Sequence, residues 1–239
     1  MQYALINGIK SGPEKGVSAI CIDCGAEMHA KCGSIKLHHW AHRANFSCDS
    51  WWETETEWHR NWKNCFPESY REVSFYDTIQ NEYHRADIHT PAELTIEFQN
   101  SPLSVAELQS RNNFYGKIIW VVNGLKFKGL QLGKPMPDPA DPALQEFEFS
   151  GDIHLRFARK STNDILTAFH PQLKDMKLSA QHYTFAWKHP HLAWYHSTAP
   201  VFIDLGGHFL YWLRKKQQVS AEFYYLQLVS KKQFIAHYT

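Results

Sequence analysis

The sequence predicts an α/β fold in which a mixed sheet is flanked by helices, with a small module before it and an aromatic extension after it. Three observations predict this arrangement. Residues 51–125 alternate helical and strand-like patterns. Residues 1–50 contain four closely spaced cysteines among glycine and polar residues. Residues 126–239 open with a proline-rich connector and continue with short aromatic segments that resemble strands.

The composition narrows the class of protein further. Hydrophobic residues make up 44% and charged residues 21% of the 239 residues, which is typical of globular chains. The formal net charge of +1 gives no overall field that would attract nucleic acid, so such binding would need a local patch. Neither a long apolar run nor an export signal is evident, and we therefore expect a cytoplasmic protein without a membrane partner.

The middle zone has the clearest pattern of elements. The predicted elements are a helix over 51–66, strands over 73–76, 84–88 and 94–98, a helix over 104–115 and a strand over 117–122. Pro67 ends the first helix, and Gly116 ends the second. The resulting order is helix, three strands, helix, strand. The last strand–helix–strand unit can lie parallel in one sheet through a right-handed crossover.

The N-terminal cysteines and histidines have the spacing of a zinc site. The pair Cys21-x2-Cys24 is followed after fourteen residues by His39-x2-His42. Two such pairs, each on a tight turn, suit the tetrahedral coordination of zinc. The sequence therefore predicts a structural zinc knuckle, and a redox Cys-x-x-Cys motif is the weaker alternative. Cys48 or Cys32 could replace one histidine, and His38 competes with His39.

Two acidic residues on the predicted hairpin point to a second, harder metal ion. Asp87 ends one strand, and Glu97 and Gln99 lie on one face of the next because side chains alternate along a strand. Carboxylates on adjacent strands can converge on Mg²⁺, which keeps several waters. One water can then attack a phosphodiester while the ion stabilises the phosphate charge. The alternative is a solvent-facing polar edge.

The two predicted helices carry further candidates. Glu55, His59 and Lys63 follow one another at intervals of four, so they form one stripe on a helix. Glu55 could add a carboxylate to the magnesium site, with His59 and Lys63 facing substrate phosphate. Arg111 and Tyr115, on the second helix, could face the phosphate backbone or only support the sheet. An ordinary amphipathic helix would also explain the first stripe.

Taken together, these motifs resemble the bacterial competence protein CoiA-like family. The resemblance covers roughly residues 17–123, about half of the chain. Its segments are Cys21-Ile-Asp-Cys24, His39-Trp-Ala-His42, Glu55-Thr-x2-His59-x3-Lys63, Arg85-Ala-Asp87-Ile, Ile96-Glu-Phe-Gln99-Asn-Ser101-Pro-Leu-Ser104 and Arg111-x3-Tyr115. Proteins of this family are similar to PD-(D/E)XK nucleases. The resemblance thus implies a restriction-endonuclease-like mixed sheet with a small Cys/His module before it.

The resemblance also implies roles for individual residues. Asp87 and Glu97 would be the metal-binding carboxylates, and Glu55 would be the acid borne by the helix. Gln99 would occupy the place that lysine usually takes. Because an amide carries no charge, neutralisation at the transition state would come from the ion, from Lys63 or from Arg111. The same resemblance favours the His-Trp-Ala-His pair as zinc ligands.

The expected organisation has three parts: a zinc-binding module over 1–50, a nuclease-like core over 51–125 and an extension over 126–239. We expect a Mg²⁺- or Mn²⁺-dependent deoxyribonuclease that acts on single-stranded or branched DNA, with protein partners in DNA processing also possible. The alternative is a non-catalytic module that grips DNA or a protein on the same zinc-stapled fold. Absence of zinc in the purified chain would favour the redox interpretation instead.

Overall fold

The computed structural model describes residues 1–43, 48–162, 164–167, 170, 173 and 176–239. The chain divides into two compact units. The first unit contains Met1–Ser101, Phe114–Ile119 and Tyr238–Thr239, and the second contains Pro102–Asn113 and Trp120–His237. Strands dominate both units and the helices are few, so the mixed α/β class predicted from the sequence is confirmed.

The first unit begins with a five-stranded antiparallel sheet in the order β2-β1-β3-β4-β5. Its strands are β1 (Ala4–Ile6), β2 (Ile9–Ser11), β3 (Ser18–Ile20), β4 (Glu27–Lys31) and β5 (His39–His42). Met28 and Trp40 are buried in its core, where Cys21 and Cys48 join them. Strands this short bury little apolar surface, so a metal ion bound by the cysteines would add stability that the sheet needs.

The same unit continues with α1 (Glu57–Lys63) and three antiparallel strands, β6 (Arg71–Asp77), β7 (Glu82–His89) and β8 (Thr95–Gln99). Trp62 of α1 stacks on Phe98 of β8 with ring centroids 5.5 Å apart. Trp58 and Phe66 also contact the Phe98 ring, so one aromatic side chain of the sheet holds the helix.

The first helix is shorter than the sequence predicted. It begins at Glu57 rather than at Trp51, because Thr56 caps it: the Thr56 hydroxyl accepts from the His59 amide, and the His59 ring reaches back to the Thr56 amide. Residues 52–56 form neither helix nor strand, and Trp51 lies outside the helix, where it stacks on His84 with ring centroids 3.3 Å apart. Local capping therefore overrides the longer helical pattern.

The second predicted helix and the following strand are present with nearly the predicted bounds. They are α2 (Val105–Tyr115) and β9 (Ile118–Asn123). Ser104 accepts a hydrogen bond from the Glu107 amide, which is half of the predicted capping box. Gly116 adopts a φ of 67°, the left-handed conformation that ends many helices. Residues of β9 are fully buried, as the apolar run predicts.

Among the described residues, the further strands and α-helices are β10 (Leu130–Pro135), β11 (Phe147–Ser150), β12 (Arg156–Arg159), β13 (Ile165–Thr167), β14 (His182–Trp187), α3 (Leu192–Tyr195), β15 (Val201–Asp204), β16 (Phe209–Lys216), β17 (Phe223–Ser230) and α4 (Lys231–Tyr238). The second unit contains a mixed sheet in the order β10-β14-β17-β16-β15-β9. In this sheet β15 and β9 run parallel, and the other neighbours are antiparallel. A separate antiparallel sheet has the order β11-β12-β13.

Aromatic side chains of the second unit serve its core. Phe147, Phe149, Phe157 and Phe223 pack into one buried cluster beside Met136. The aromatic segments predicted over 147–149, 183–187 and 223–228 are strands, and the segment predicted over 154–157 begins two residues later. In the part of the chain that the structure describes, no helix is long and apolar enough to cross a membrane.

Candidate functional site

Four potential metal ligands meet in the N-terminal module: Cys21, Cys24, His42 and Cys48. Their ligand atoms all lie within 4.8 Å of one another. The Sγ atoms of Cys21 and Cys48 are 3.8 Å apart, and the Cys24 Sγ is 3.3 Å from the His42 Nε2. Two sulfurs bound to one tetrahedral zinc at about 2.3 Å are separated by about 3.8 Å. The donor set and its dimensions therefore fit a zinc ion.

The backbone around Cys21 and Cys24 explains why both thiols can reach one ion. The Cys21 amide donates to Ala26 at 2.8 Å, and the Gly25 amide donates back to Cys21 at 3.2 Å. Gly25 adopts a φ of 70°, which a side chain would disfavour. The two-residue gap is thus folded into a tight turn, as the spacing predicted.

The fourth potential ligand in this cluster is Cys48 and not the predicted His39. Residues 39 and 42 lie three apart on β5, and side chains alternate along a strand, so the two histidines point to opposite faces. The His39 Nδ1 lies 2.8 Å from the Leu37 carbonyl oxygen instead. Cys48 was one of the alternatives to histidine, whereas Cys32 lies with its Sγ 3.9 Å from the Pro13 carbonyl oxygen.

Removing one of the two competing side chains distinguishes these ligand sets. We expect Cys48→Ser to weaken zinc binding by more than the roughly 100-fold typical of changes around a metal site, because it removes a ligand. His39→Ala is expected to leave one zinc ion per chain with unchanged affinity. Zinc titration against a chromophoric chelator measures both. Normal affinity in Cys48→Ser with loss in His39→Ala would restore the original assignment.

The second candidate site lies where β7 and β8 separate. Regular pairing ends at Ile88 opposite Ile96. If the same antiparallel register continued, Asp87 would lie opposite Glu97. Beyond that point the carboxylates accept the backbone hydrogen bonds: the Asp87 amide donates to Glu97 at 3.4 Å, and the Phe98 amide donates to Asp87 at 2.9 Å. Each of the two predicted acids therefore reaches the backbone of the neighbouring strand.

Lys63 lies among the acids of this site rather than reaching into solvent. Its Nζ is 2.6 Å from Glu55, 2.8 Å from Glu72 and 3.8 Å from Asp87. The Lys63 side chain is buried, while 21% of the Asp87 side chain remains exposed. Burial lowers the pKa of Lys63, but the three carboxylates outweigh burial and raise it, so the ammonium stays charged. Lys63 thus balances the acids, and the prediction that it faces phosphate does not describe this arrangement.

Glu55 is part of the same cluster, but it precedes α1 instead of lying on it. Its second oxygen accepts from Arg60 at 2.5 Å. Burial raises the pKa of Glu55, but Lys63 and Arg60 outweigh that effect and lower its pKa to about 2. The ionised form is therefore strongly favoured by the fold.

This depressed pKa predicts how stability depends on pH. Because the folded-state pKa lies below the usual 4.5, the Glu55 contribution is complete above about pH 4.5 and is lost as the pH falls towards about 2. The contribution amounts to about 3 kcal/mol. Urea unfolding between pH 6 and 3 should show a smaller acid-induced loss for Glu55→Gln than for the wild type. An identical loss in both proteins would contradict the pairing.

Glu53, which the sequence reading missed, organises the residues around Gln99. Its carboxylate accepts from the His59 Nε2 at 2.6 Å, from the Gln99 Nε2 at 3.3 Å and from the Ser101 hydroxyl. Buried His59 is therefore held by Glu53 and Thr56. Glu53 was not a candidate on sequence alone, because the helix predicted over 51–66 places position 53 on a different face from Glu55 and Lys63.

Glu72 is the other acid that the sequence did not reveal. It lies on β6 and accepts from the backbone amides of Gln2 and Tyr3 as well as from Lys63. On sequence alone it is one charged residue before the strand predicted over 73–76. Its role depends on the N-terminal strand and α1 meeting at one point, which no local pattern encodes.

The residues predicted on α2 occupy supporting positions. Arg111 is buried, pairs with Glu107 at 2.5 Å and lies over the Trp120 ring. Tyr115 packs against Trp51 and Phe75. These contacts match the alternative in which the two side chains support the sheet.

A cavity of about 770 Å³ opens beside Glu55. Trp52, Lys36, His39 and Arg60 are among its lining residues. Half of the Trp52 surface is exposed, so its ring is available for stacking. The cavity borders Glu55 and Arg60, whereas Asp87 and Glu97 are not among its lining residues.

Comparison with known proteins suggests no function for this chain, so the proposed function rests on the geometry of the site. No family model, no curated protein and no solved structure matches this chain.

Proposed function

We propose that this chain is a Mg²⁺- or Mn²⁺-dependent DNA nuclease whose N-terminal module is stapled by structural zinc. The observation that carries the proposal is the pairing of Asp87 and Glu97 at the point where β7 and β8 separate. Two carboxylates side by side on adjacent strands are the oxygen ligands that a hard divalent cation prefers. The order of α1, three strands, α2 and β9 agrees with the nuclease-like core that the sequence suggests.

The charge of the cluster supports the binding of a divalent cation. Glu55, Glu72, Asp87 and Glu97 bring four carboxylates together, against the ammonium of Lys63, the guanidinium of Arg60 and the N-terminal ammonium near Glu72. A formal negative charge therefore remains. Asp87 keeps part of its surface exposed, so an ion can reach it from solvent.

Each side chain of the site has a defined task in this proposal. Asp87 and Glu97 hold the ion, which when bound supplies a water nucleophile and stabilises charge on the phosphate. Glu53 and Ser101 fix the Gln99 amide through its Nε2, which would leave the Gln99 carbonyl oxygen to orient a nucleophilic water. Because Lys63 already balances the carboxylates around it, the positive charge that Gln99 lacks would come from the bound ion.

The cavity beside Glu55 is the space that we assign to the substrate strand. Trp52 can stack on a base, and Lys36 can contact a phosphate. This arrangement favours single-stranded or branched DNA, whose bases are accessible.

A cleavage assay tests the proposal directly. Purified protein is incubated with single-stranded, double-stranded, nicked and branched DNA, in the presence of Mg²⁺, Mn²⁺ or EDTA. We expect cleavage with either ion and none with EDTA. A parallel RNA substrate distinguishes deoxyribonuclease from ribonuclease activity. No product from any substrate with either ion would reject the nuclease.

The position of Lys63 favours one alternative. An ammonium already lies between Glu55 and Glu72, so the cluster could be a structural ion-pair network in a non-catalytic binding module. Such a module would bind DNA without producing fragments, and its affinity would fall steeply with salt concentration. The same set of reactions, analysed by mobility shift at several salt concentrations, separates binding from cleavage.

A further inference from the structure

Asp23 connects the cysteine cluster to the strand that carries Asp87. Its side chain is completely buried. One carboxylate oxygen, Oδ2, lies 3.9 Å from the Cys21 Sγ and 3.7 Å from the Cys48 Sγ. The same carboxylate forms an ion pair with Arg85 and accepts a hydrogen bond from Ser74. Asp23 therefore contacts two candidate zinc ligands and two residues of the β6–β7 pair.

Arg85 receives this contact from β7. Only 9% of its side chain is exposed, and its Nε lies 3.5 Å from the Ser74 hydroxyl. The Arg85 backbone amide also donates to Asp49 at 3.2 Å, the residue directly after Cys48.

The charges explain why a buried arginine belongs here. Three thiolates, one neutral histidine and Zn²⁺ carry a formal charge of about −1, to which the Asp23 carboxylate adds another. A buried negative charge of that size requires a cationic partner. Arg85 is that partner in the first unit, since it pairs with Asp23 beside the thiols.

We propose that Asp23 and Arg85 are positioning residues that stabilise the zinc centre and fix the start of the candidate catalytic strand to it. Arg85 and Asp87 lie two residues apart on β7, so they share one face. Holding the Arg85 side chain at the zinc centre and its amide at Asp49 sets where Asp87 meets Glu97. The link to Asp87 rests on the proposed nuclease function, whereas the link to zinc does not.

Zinc affinity tests the first half of this inference. Titration against a chromophoric chelator is carried out on the full chain and on Asp23→Asn, Arg85→Ala and Arg85→Lys. We expect roughly 10- to 100-fold weaker zinc binding in Asp23→Asn and Arg85→Ala, as for other residues that orient metal ligands. Arg85→Lys should recover part of the affinity, because it restores the charge. A purely structural arginine would give no such rescue.

Arg43→Ala is the matched control for these variants. Arg43 follows His42 directly and forms an exposed ion pair with Glu27 at 3.1 Å, so its loss removes a charge near the same module without touching the thiols. Its zinc affinity should equal that of the wild type. Wild-type affinity in Asp23→Asn would overturn the inference even if Arg85→Ala fails to fold.

Hydrogen exchange of β7 tests the second half without relying on catalysis. Zinc is removed from the full chain with a selective chelator in the presence of Mg²⁺, and backbone exchange is followed by mass spectrometry. We expect faster exchange over 82–89 and unchanged exchange over 223–230 in the second unit. Unchanged exchange over 82–89 would overturn the link between zinc and β7.

DNA cleavage measured on the same samples separates the two proposals. If the nuclease proposal is correct, zinc removal and Asp23→Asn both reduce Mg²⁺-dependent cleavage. If the wild type never cleaves DNA while zinc affinity and β7 exchange respond as expected, the nuclease proposal fails and the zinc link stands. Cleavage that persists at the wild-type rate after zinc removal would reject the link to Asp87 alone.

Discussion

Asp87→Asn and Glu97→Gln are each expected to reduce Mg²⁺-dependent DNA cleavage by on the order of 10³-fold. A bound divalent ion stabilises a phosphoryl transition state by several kcal/mol, and each 1.4 kcal/mol corresponds to about a tenfold change in rate. An amide keeps the shape of a carboxylate but loses the charge that holds the ion. Single-turnover cleavage at saturating Mg²⁺ and at tenfold higher Mg²⁺ measures the effect.

The two substitutions are mild for the fold, which makes the comparison informative. Asn at position 87 can still accept from the Phe98 amide, and Gln at position 97 can still accept from the Asp87 amide. The separation of β7 and β8 should therefore persist, with a melting temperature close to that of the wild type. A loss of cleavage without a loss of stability points to the metal ion rather than to folding.

Glu93→Gln provides the control on the same hairpin. Glu93 lies in the turn between β7 and β8, and 78% of its side chain is exposed. Its substitution removes the same charge by the same chemical change, and cleavage should remain at the wild-type rate. If Glu97→Gln cleaves as fast as Glu93→Gln, Glu97 does not hold the ion.

The hairpin and the cysteine turn are features that local sequence patterns could predict. Alternation placed Glu97 and Gln99 on one face, and the separation of Cys21 from Cys24 implied a tight turn, because both depend on periods and gaps of a few residues. The structure has both features. The bounds of α2 and β9 were predictable for the same reason, since a cap, a glycine and an apolar run specify them locally.

Contacts between distant segments could not be predicted in this way. Cys21 is joined by His42, which lies on β5 beside β4, and by Cys48. His39 lies on the opposite face of β5. A strand cannot present positions 39 and 42 to one ion, yet the sequence did not reveal that these residues form a strand. The spacing of the histidines therefore suggested a pairing that strand geometry excludes.

The acidic cluster depends even more on tertiary structure. Lys63 and Arg60 come from α1, and the acids come from the segment before α1, from β6, from β7 and from β8. On sequence alone Lys63 is a basic residue at the end of a helix, where it would face solvent or substrate. Only the packing of α1 on Phe98 places its ammonium inside the cluster.

Lys63→Met is expected to destabilise the protein by about 3–5 kcal/mol, because it leaves buried carboxylates without their counter-charge. For a chain of this length the thermal transition should fall by roughly 10 °C. Lys117→Met, which removes an exposed lysine from the same unit, should change stability by less than about 0.5 kcal/mol. Chemical and thermal unfolding of the three proteins measures the difference. Equal stability of Lys63→Met and Lys117→Met would show that Lys63 does not balance the acids.

The response of Lys63→Met to Mg²⁺ and to pH separates an ion-binding cluster from a closed ion-pair network. If the acids bind a divalent cation, Mg²⁺ should recover part of the lost stability in Lys63→Met, but not in Lys63→Met combined with Glu97→Gln. Acid should also reduce the difference in unfolding free energy between the wild type and Lys63→Met. The wild type loses the Glu55 contribution between about pH 4.5 and about 2, whereas the variant never had the ion pair. If this stability difference decreases with acid but does not change with Mg²⁺, the binding module is favoured over the nuclease. The cluster would then hold its own lysine and no other cation.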